Sequence, residues 1–168
     1  MSMFTRRGGT CVARFDAVEA RVLHEVLTEV VSLLSDDFDR ADPVVERLFP
    51  DVYPSDPVGS ADLRRYIEGD LKSGKLDQAR MVLDALPRGG GRVRLDEEQA
   101  EAWLRALTDA RLALGLRLDV RDDTDLQEEL DEAVLADPTS PRVEHLSVYA
   151  FLTLLQESLV EALMGHGV

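Results

Sequence analysis

Two stretches of the chain carry the same instruction: TCVARFDAVEARVL, from Thr10 to Leu23, and GRVRLDEEQAEAW, from Gly91 to Trp103. Each opens on a short alternating run, the period of a strand with one buried face. Each then reaches an aspartate followed three residues later by an acid or amide, Asp16 with Glu19 and Asp96 with Gln99. That spacing is a capping box with Asp in place of Ser or Thr. The aspartate oxygen accepts from free N–H groups in the first helical turn, while Glu or Gln reaches back to the cap N–H. A strand turning at once into a helix is therefore expected twice. Cys11, Ala13 and Phe15 share one strand face, as do Val93 and Leu95, so the two strands can pair in one small sheet. The Gly8-Gly9 pair before the first of them permits a tight hairpin turn.

Helical periodicity dominates elsewhere. Val18, Val22, Val26, Val30 and Leu34, flanked by Leu23, Leu27 and Val31, mark an amphipathic helix from Asp16 to about Ser35. A polar loop, SDDFDRADP, follows, then one helical turn in PVVERLFP between prolines and a further loop, DVYPSDPVGS. Ser60 is read as the cap of a helix from Ala61 to Lys72, with a turn at Gly74 and another helix ending before Pro87. RGGG then links to the second strand. The helix from Glu97 to about Leu118 carries Ala100, Trp103, Leu104, Leu107, Leu114 and Leu118 on one face, with Arg111 among them. A modest helix is expected near Leu126 to Leu135. The last runs from Val143 to Met164, apolar on nearly every side around Leu146 to Leu155, as a central core helix or an oligomer interface would be. The expected fold is mainly α: a single-domain bundle of about five helices over residues 1–168, with a two- to three-stranded β element near the N-terminus. Residues 119–141 form an acidic, partly mobile segment of it.

Charge bears on partners. The formal net charge is −14, from 33 acidic and 19 basic residues, and nine acids meet one base, Arg121, between Asp119 and Asp137. Binding a duplex depends on neutralising phosphates with Lys and Arg, so the long-range field opposes direct nucleic-acid binding and favours a basic partner protein. The strongly apolar run from Leu146 to Leu155 is shorter than the roughly 20 residues a bilayer takes, and MSMFTRRGG is followed by no apolar region. No membrane partner and no signal peptide are expected. A single cysteine excludes a disulfide within the chain and fits a reducing, cytoplasmic setting.

The residues that carry chemistry are few. No phosphate loop, nucleophile elbow or HExxH pattern occurs, and the acid run DVRDDTDLQEELDE lacks the glycine of a calcium loop. The expectation is a non-enzymatic protein without metal or cofactor. Cys11, with Arg6, Arg7 and Arg14 close in sequence, is a candidate redox sensor, because a reactive thiol needs cations that stabilise the thiolate and access to oxidant. Its alternation with Ala13 and Phe15 argues instead for a buried, inert side chain. Arg111, set among Leu104, Leu107 and Leu114, must find acceptors or reach solvent, since an unpaired buried charge is costly. It is a candidate for a buried ion pair or, with Arg6 and Arg7, for binding a partner or anion. Arg105 and Asp109 are spaced as an ordinary helical ion pair.

Five stretches, RRGG, VARFDAVEARVL, ERLFPDVY, VRLDEEQAEAWLRALTDARLALGLRL and VYAFLTLLQESLVEAL, resemble the actinobacterial AosR-like proteins, a family long carried as a domain of unknown function. The resemblance spans most of the chain, excepting the loop after Ser35 and the segment from Asp119 to Pro141. It implies a transcriptional regulator of oxidative stress that acts with an alternative sigma factor of RNA polymerase. Two departures stand out: a redox switch closed by an internal disulfide needs two cysteines, and Thr108-Asp109 stands where the family shows Asn-Asp. A cytoplasmic regulator binding a sigma factor, with the last helix serving a homodimer, is the expected function. Two other readings remain open: direct DNA binding through Arg6, Arg7 and Arg14 as a basic arm, and a small-molecule sensor or enzyme built around Arg111.

Overall fold

A computed structural model describes residues 3–35, 41–49, 55 and 57–165, without the side chains of 57, 60, 61 and 64–68. Among these residues the order is β1 (Thr5–Arg7), β2 (Thr10–Phe15), α1 (Ala17–Ser35), α2 (Pro43–Leu48), α3 (Pro57–Ala85), β3 (Gly91–Leu95), α4 (Glu97–Arg117), α5 (Leu126–Ala136) and α6 (Pro141–Met164). The protein is mainly α, and its described residues form six helices and one small antiparallel sheet in the order β1-β2-β3.

Both expected capping boxes are formed. Asp16 Oδ1 accepts from the Glu19 N–H at 2.8 Å, and Glu19 Oε1 accepts from the Asp16 N–H at 2.9 Å. Asp96 and Gln99 repeat the exchange at 2.8 and 3.0 Å. The strands before these caps pair directly, Cys11 opposite Leu95, Ala13 opposite Val93 and Phe15 opposite Gly91. That register turns Cys11, Ala13, Phe15, Val93 and Leu95 onto the buried face. Gly8, at φ 62°, supplies the left-handed residue of the two-residue turn joining β1 to β2. Gly90, at φ 88°, lies so close to the β2–α1 junction that a Cβ there would stand 2.8 Å from the Asp16 carbonyl carbon and the Phe15 oxygen. The glycine is what lets the chain enter β3 against that junction.

The inner sheet face rests on α4 through an aromatic cluster. Trp103, fully buried, stacks on Phe15 with centroids 6.2 Å apart and meets the edge of Phe4 at 5.7 Å. Leu23, Leu27, Val30 and Leu34 from α1, Ala79 and Val82 from α3, and Leu152, Leu155 and Leu159 from α6 complete the same core. A smaller apolar cluster, Leu118, Ala133 and Leu146, joins α5 to α6 and the end of α4.

Three expectations need correction. The turn placed at Gly74 is absent: α3 runs unbroken through it. An interior glycine costs a helix only about 1 kcal/mol, and the packing of Leu76, Ala79, Val82 and Leu83 against the core offsets that. Ser60 accordingly lies inside the helix and not at its cap. The apolar reach of α6 exceeds Leu146 to Leu155: its 24 residues are long and apolar enough, by length and composition, to cross a membrane. Here one side of α6 is covered by the core, while Leu154 and Met164 are exposed. Most of the two loops expected between Ser35 and Ser60 lies outside the described residues.

Candidate functional site

Cys11 lies in the middle strand, opposite Arg6 on one side and Leu95 on the other, and is 3% exposed. Burial pushes its thiol above the ordinary value of 9.0; Arg6 opposes that shift, and Glu97 adds to it. A thiol held protonated and away from solvent is a poor nucleophile, so the burial favours packing over sensing. The sign follows: a pKa raised in the fold stabilises it while the thiol stays protonated, and this contribution is lost as pH climbs past about 9. Cys11 in the native protein is therefore expected to react with Ellman's reagent at pH 8 only as fast as the protein unfolds. The stability of the wild type should fall above pH 9 more steeply than that of Cys11→Ala. Fast stoichiometric labelling of the native state would refute both.

Arg6 and Arg7, adjacent in sequence, face opposite ways because strand side chains alternate. The Arg6 residue is exposed, but its guanidinium lies against the end of α6 and donates to the carbonyl oxygens of Ala162 and Leu163, at 3.2 and 3.3 Å. It thereby caps the end of α6, where carbonyls lack helical partners and the helix dipole favours a cation. Arg6 is thus a structural residue of this fold, and the expected basic arm is instead a strand. Arg7 points outward and is exposed, as are Arg14 on β2 and Arg92 and Arg94 on β3. The last two escaped the sequence reading, although their alternation with Val93 and Leu95 was the available signal.

Arg111 is half-buried, and among the described residues no ion pair holds it. Its guanidinium carbon lies over the Tyr149 ring, 5.9 Å from the centroid, a favourable seat for a planar cation. Leu104 and Leu114 beside it are only partly buried, so this flank of α4 borders an opening instead of the deep core. The opening is a cleft of about 510 Å³ that also presents Arg47 and Arg121. Arg121 is engaged by Asp119 at 3.2 Å.

Asp109 does not pair with Arg105 as its spacing suggests. Arg105 approaches Glu101 at 3.8 Å, whereas Asp109, 7% exposed, takes two bonds from Lys75 Nζ, at 2.9 and 3.0 Å. Nearby, Gln156 Nε2 donates to Thr108 Oγ1 at 2.9 Å, and Thr108 Oγ1 donates to the Leu104 carbonyl at 2.7 Å. These groups tie α3, α4 and α6 together beside a cleft of about 420 Å³. The signal for them was the position of Asp109 on the buried stripe that carries Ala102, Ala106 and Ala113.

The acidic segment after α4 contains α5. Asp125 caps α5 by accepting from the Glu128 N–H at 3.1 Å, and Arg142 at the start of α6 pairs with Glu129 at 3.0 Å. The outer side of α5 exposes Asp131, Glu132 and Leu135, the last 86% exposed. Among the described residues, no three His, Cys, Asp or Glu side chains are grouped to hold a metal ion.

The chain matches the family described as "Domain of unknown function (DUF2017)" over residues 1–163. It is 32% identical over 171 residues to "Oxidative stress regulator AosR" of Mycobacterium bovis and to the protein of the same name of Mycobacterium tuberculosis, covering 94% of this chain and 75% of each relative. It is 36% identical over 137 residues to "Putative oxidative stress regulator AosR" of Mycobacterium leprae, covering 74% of this chain and 59% of that one. No solved structure matches. The chain belongs to the DUF2017 family, together with these mycobacterial AosR proteins.

Proposed function

We propose that this chain is a cytoplasmic regulatory protein of the oxidative-stress response, acting not by catalysis but by binding a sigma factor or another component of RNA polymerase. The observation that carries the reading is its 32% identity, over 94% of its length, to proteins named as oxidative stress regulators. The outer side of α5 supports it as a docking surface. Leu135 is an apolar anchor rimmed by Asp131 and Glu132, which suits a basic amphipathic helix laid against it. The exposed flank of α6 around Leu154 is the surface offered to a second copy of the chain.

The test is a crosslinked pull-down from cells, read by mass spectrometry before and after peroxide. It compares the wild type with Cys11→Ser and with the double variant Glu132→Lys/Leu135→Ser. A sigma factor or polymerase subunit should come with the wild type and with Cys11→Ser in equal yield. The α5 variant should recover at least fivefold less, because loss of a central anchor and a reversed charge both weaken such an interface. Recovery of no polymerase component in either condition overturns the reading. Recovery that responds to peroxide only when Cys11 is present would restore Cys11 as the sensor.

A further inference from the structure

The cleft beside Arg111 is assembled from parts of the chain far apart in sequence. Helix α2 contributes Arg47, α4 contributes Arg111 and Gly115, the turn before α5 contributes Thr124, and α6 contributes Tyr149. Gly115 shapes it. The residue is buried, and a Cβ there would stand 3.0 Å from the Tyr149 ring, so bare backbone is what lets the ring lie close against α4. The ring in turn seats the Arg111 guanidinium. In a chain with 33 acids, neither Arg47 nor Arg111 enters an ion pair among the described residues. Two cations from different helices thus border one cleft without a counterion.

We propose that this cleft binds a small organic monoanion, a carboxylate carried on an apolar body. Charge sets the valence. Arg121 and Asp119 satisfy each other at 3.2 Å, which leaves Arg47 and Arg111 against Asp122 and one net positive charge at the lining. Glu46, Asp123 and Asp125 neighbour lining residues in sequence but do not line the cleft themselves, and the Asp125 carboxylate caps α5. One carboxylate therefore neutralises the site, whereas a dianionic phosphate would leave it negative in an already acidic protein. The guanidinium fork matches a planar carboxylate. Thr124 adds a donor: its oxygen accepts from the Arg121 N–H at 2.9 Å, and its own hydrogen meets no acceptor among the described residues. The Thr153 hydroxyl is already spent on the Tyr149 carbonyl at 3.0 Å.

The walls set the rest of the ligand. Leu116, 42% exposed, faces the opening together with half-buried Val120 and Leu126, and apolar area of this kind gains by being covered. The volume of about 510 Å³ lies within the roughly 300–1,000 Å³ of small-molecule sites. A free inorganic anion would use the arginines and leave those walls wet. The site is also separate from the surface offered to a polymerase component. Leu126 opens α5 and Leu135 lies nine residues on, about 13 Å along the helix, so ligand binding and partner binding stand or fall independently.

The probe is anilinonaphthalene sulfonate, an apolar monoanion whose fluorescence rises when it leaves water, titrated into the full native chain near neutral pH and at low salt. The wild type should bind one equivalent with a Kd of about 10–100 μM, as a ligand of this size does in a partly open site. Decanoate should displace the probe. Decanol and decylamine, which share its chain and lack its negative charge, should do so at least tenfold less well, as should inorganic phosphate. Arg47→Gln/Arg111→Gln should weaken both probe and decanoate at least tenfold. Arg47→Gln alone, a change at an exposed position that leaves the core intact, should weaken them about threefold, the lower end of what a charge-assisted bond contributes. Arg80→Gln, exposed on α3, should change nothing. Circular dichroism melts of each variant separate loss of the site from loss of fold. Absence of saturable binding to the wild type overturns the proposal, as does binding that survives both arginine substitutions. Competition by decanol equal to that of decanoate would make the cleft merely apolar, and stronger displacement by phosphate would assign the arginines to a dianion; either result overturns it. Self-association of the wild type that disappears in Arg47→Gln/Arg111→Gln, with no probe bound, would give the two cations to an acidic side chain of a second copy and overturn it as well.

Discussion

Asp109→Ala should lower the unfolding free energy by about 3 kcal/mol, because it strands the Lys75 ammonium between α3 and α4. Removing one member of a buried pair costs about 3–5 kcal/mol. The side chains of Lys75 and Asp109 keep 16% and 10% of their surface at the edge of a cleft, so the lower end of that range applies. Lys75→Met should cost about as much, since it leaves a carboxylate with no cation. The double variant Lys75→Met/Asp109→Leu separates charge from shape: with both ions gone and the volume kept, most of the loss should return. Urea melts of the four proteins close the cycle. Single variants within about 0.5 kcal/mol of wild type, the scatter expected of surface changes, would show that the pair is solvated and holds nothing.

Trp103→Ala should be more damaging still, by about 3–5 kcal/mol, a large fraction of the roughly 5–15 kcal/mol that stabilises a typical domain. The indole is fully buried where the sheet meets α4, between Phe15 and Phe4. Its removal empties the space between Phe4, just ahead of β1, and Phe15, on β2. Among the described residues no acceptor meets the buried Nε1 hydrogen, so Trp103→Phe gives back the cost of an unsatisfied donor and should lose only about 1–2 kcal/mol. Thermal melts followed by circular dichroism distinguish the two variants. If Trp103→Ala melts within a few degrees of wild type, the aromatic cluster does not organise the sheet.

What was legible in the sequence was local. Asp16 with Glu19 and Asp96 with Gln99 are three residues apart, and their spacing alone predicts the strand-to-helix turns that the structure contains. Gly74 misled because a glycine's weak helix propensity is local, whereas the contacts holding α3 through it come from α1 and α4. The Lys75–Asp109 pair joins residues 34 apart, and no periodicity links them. Because Arg111 shares a stripe with leucines, the sequence leaves open whether it pairs inside the core or reaches solvent. Only the fold shows that Tyr149, on α6, opens that flank and takes the guanidinium on its ring. Arg6 reads as free charge because a three-residue strand is too short to show that its side chain lies along the end of α6.

The bonds from β1 to α6 also set an order in time. Phe4 N–H waits for Ser158 Oγ, 154 residues later, and Arg6 for carbonyls 156 and 157 residues later. At a ribosomal pace of about 5–20 residues per second, that is about 8–30 s during which the first strand has no lasting place. The hairpin with β2 can close early, β3 can join once residue 95 has emerged and α4 can cover part of the inner face soon after, yet the β1 end of this sheet waits until the last two turns of α6 arrive. The protection of Cys11 is not a property of its own strand but is completed only as α4 and α6 dock on the sheet.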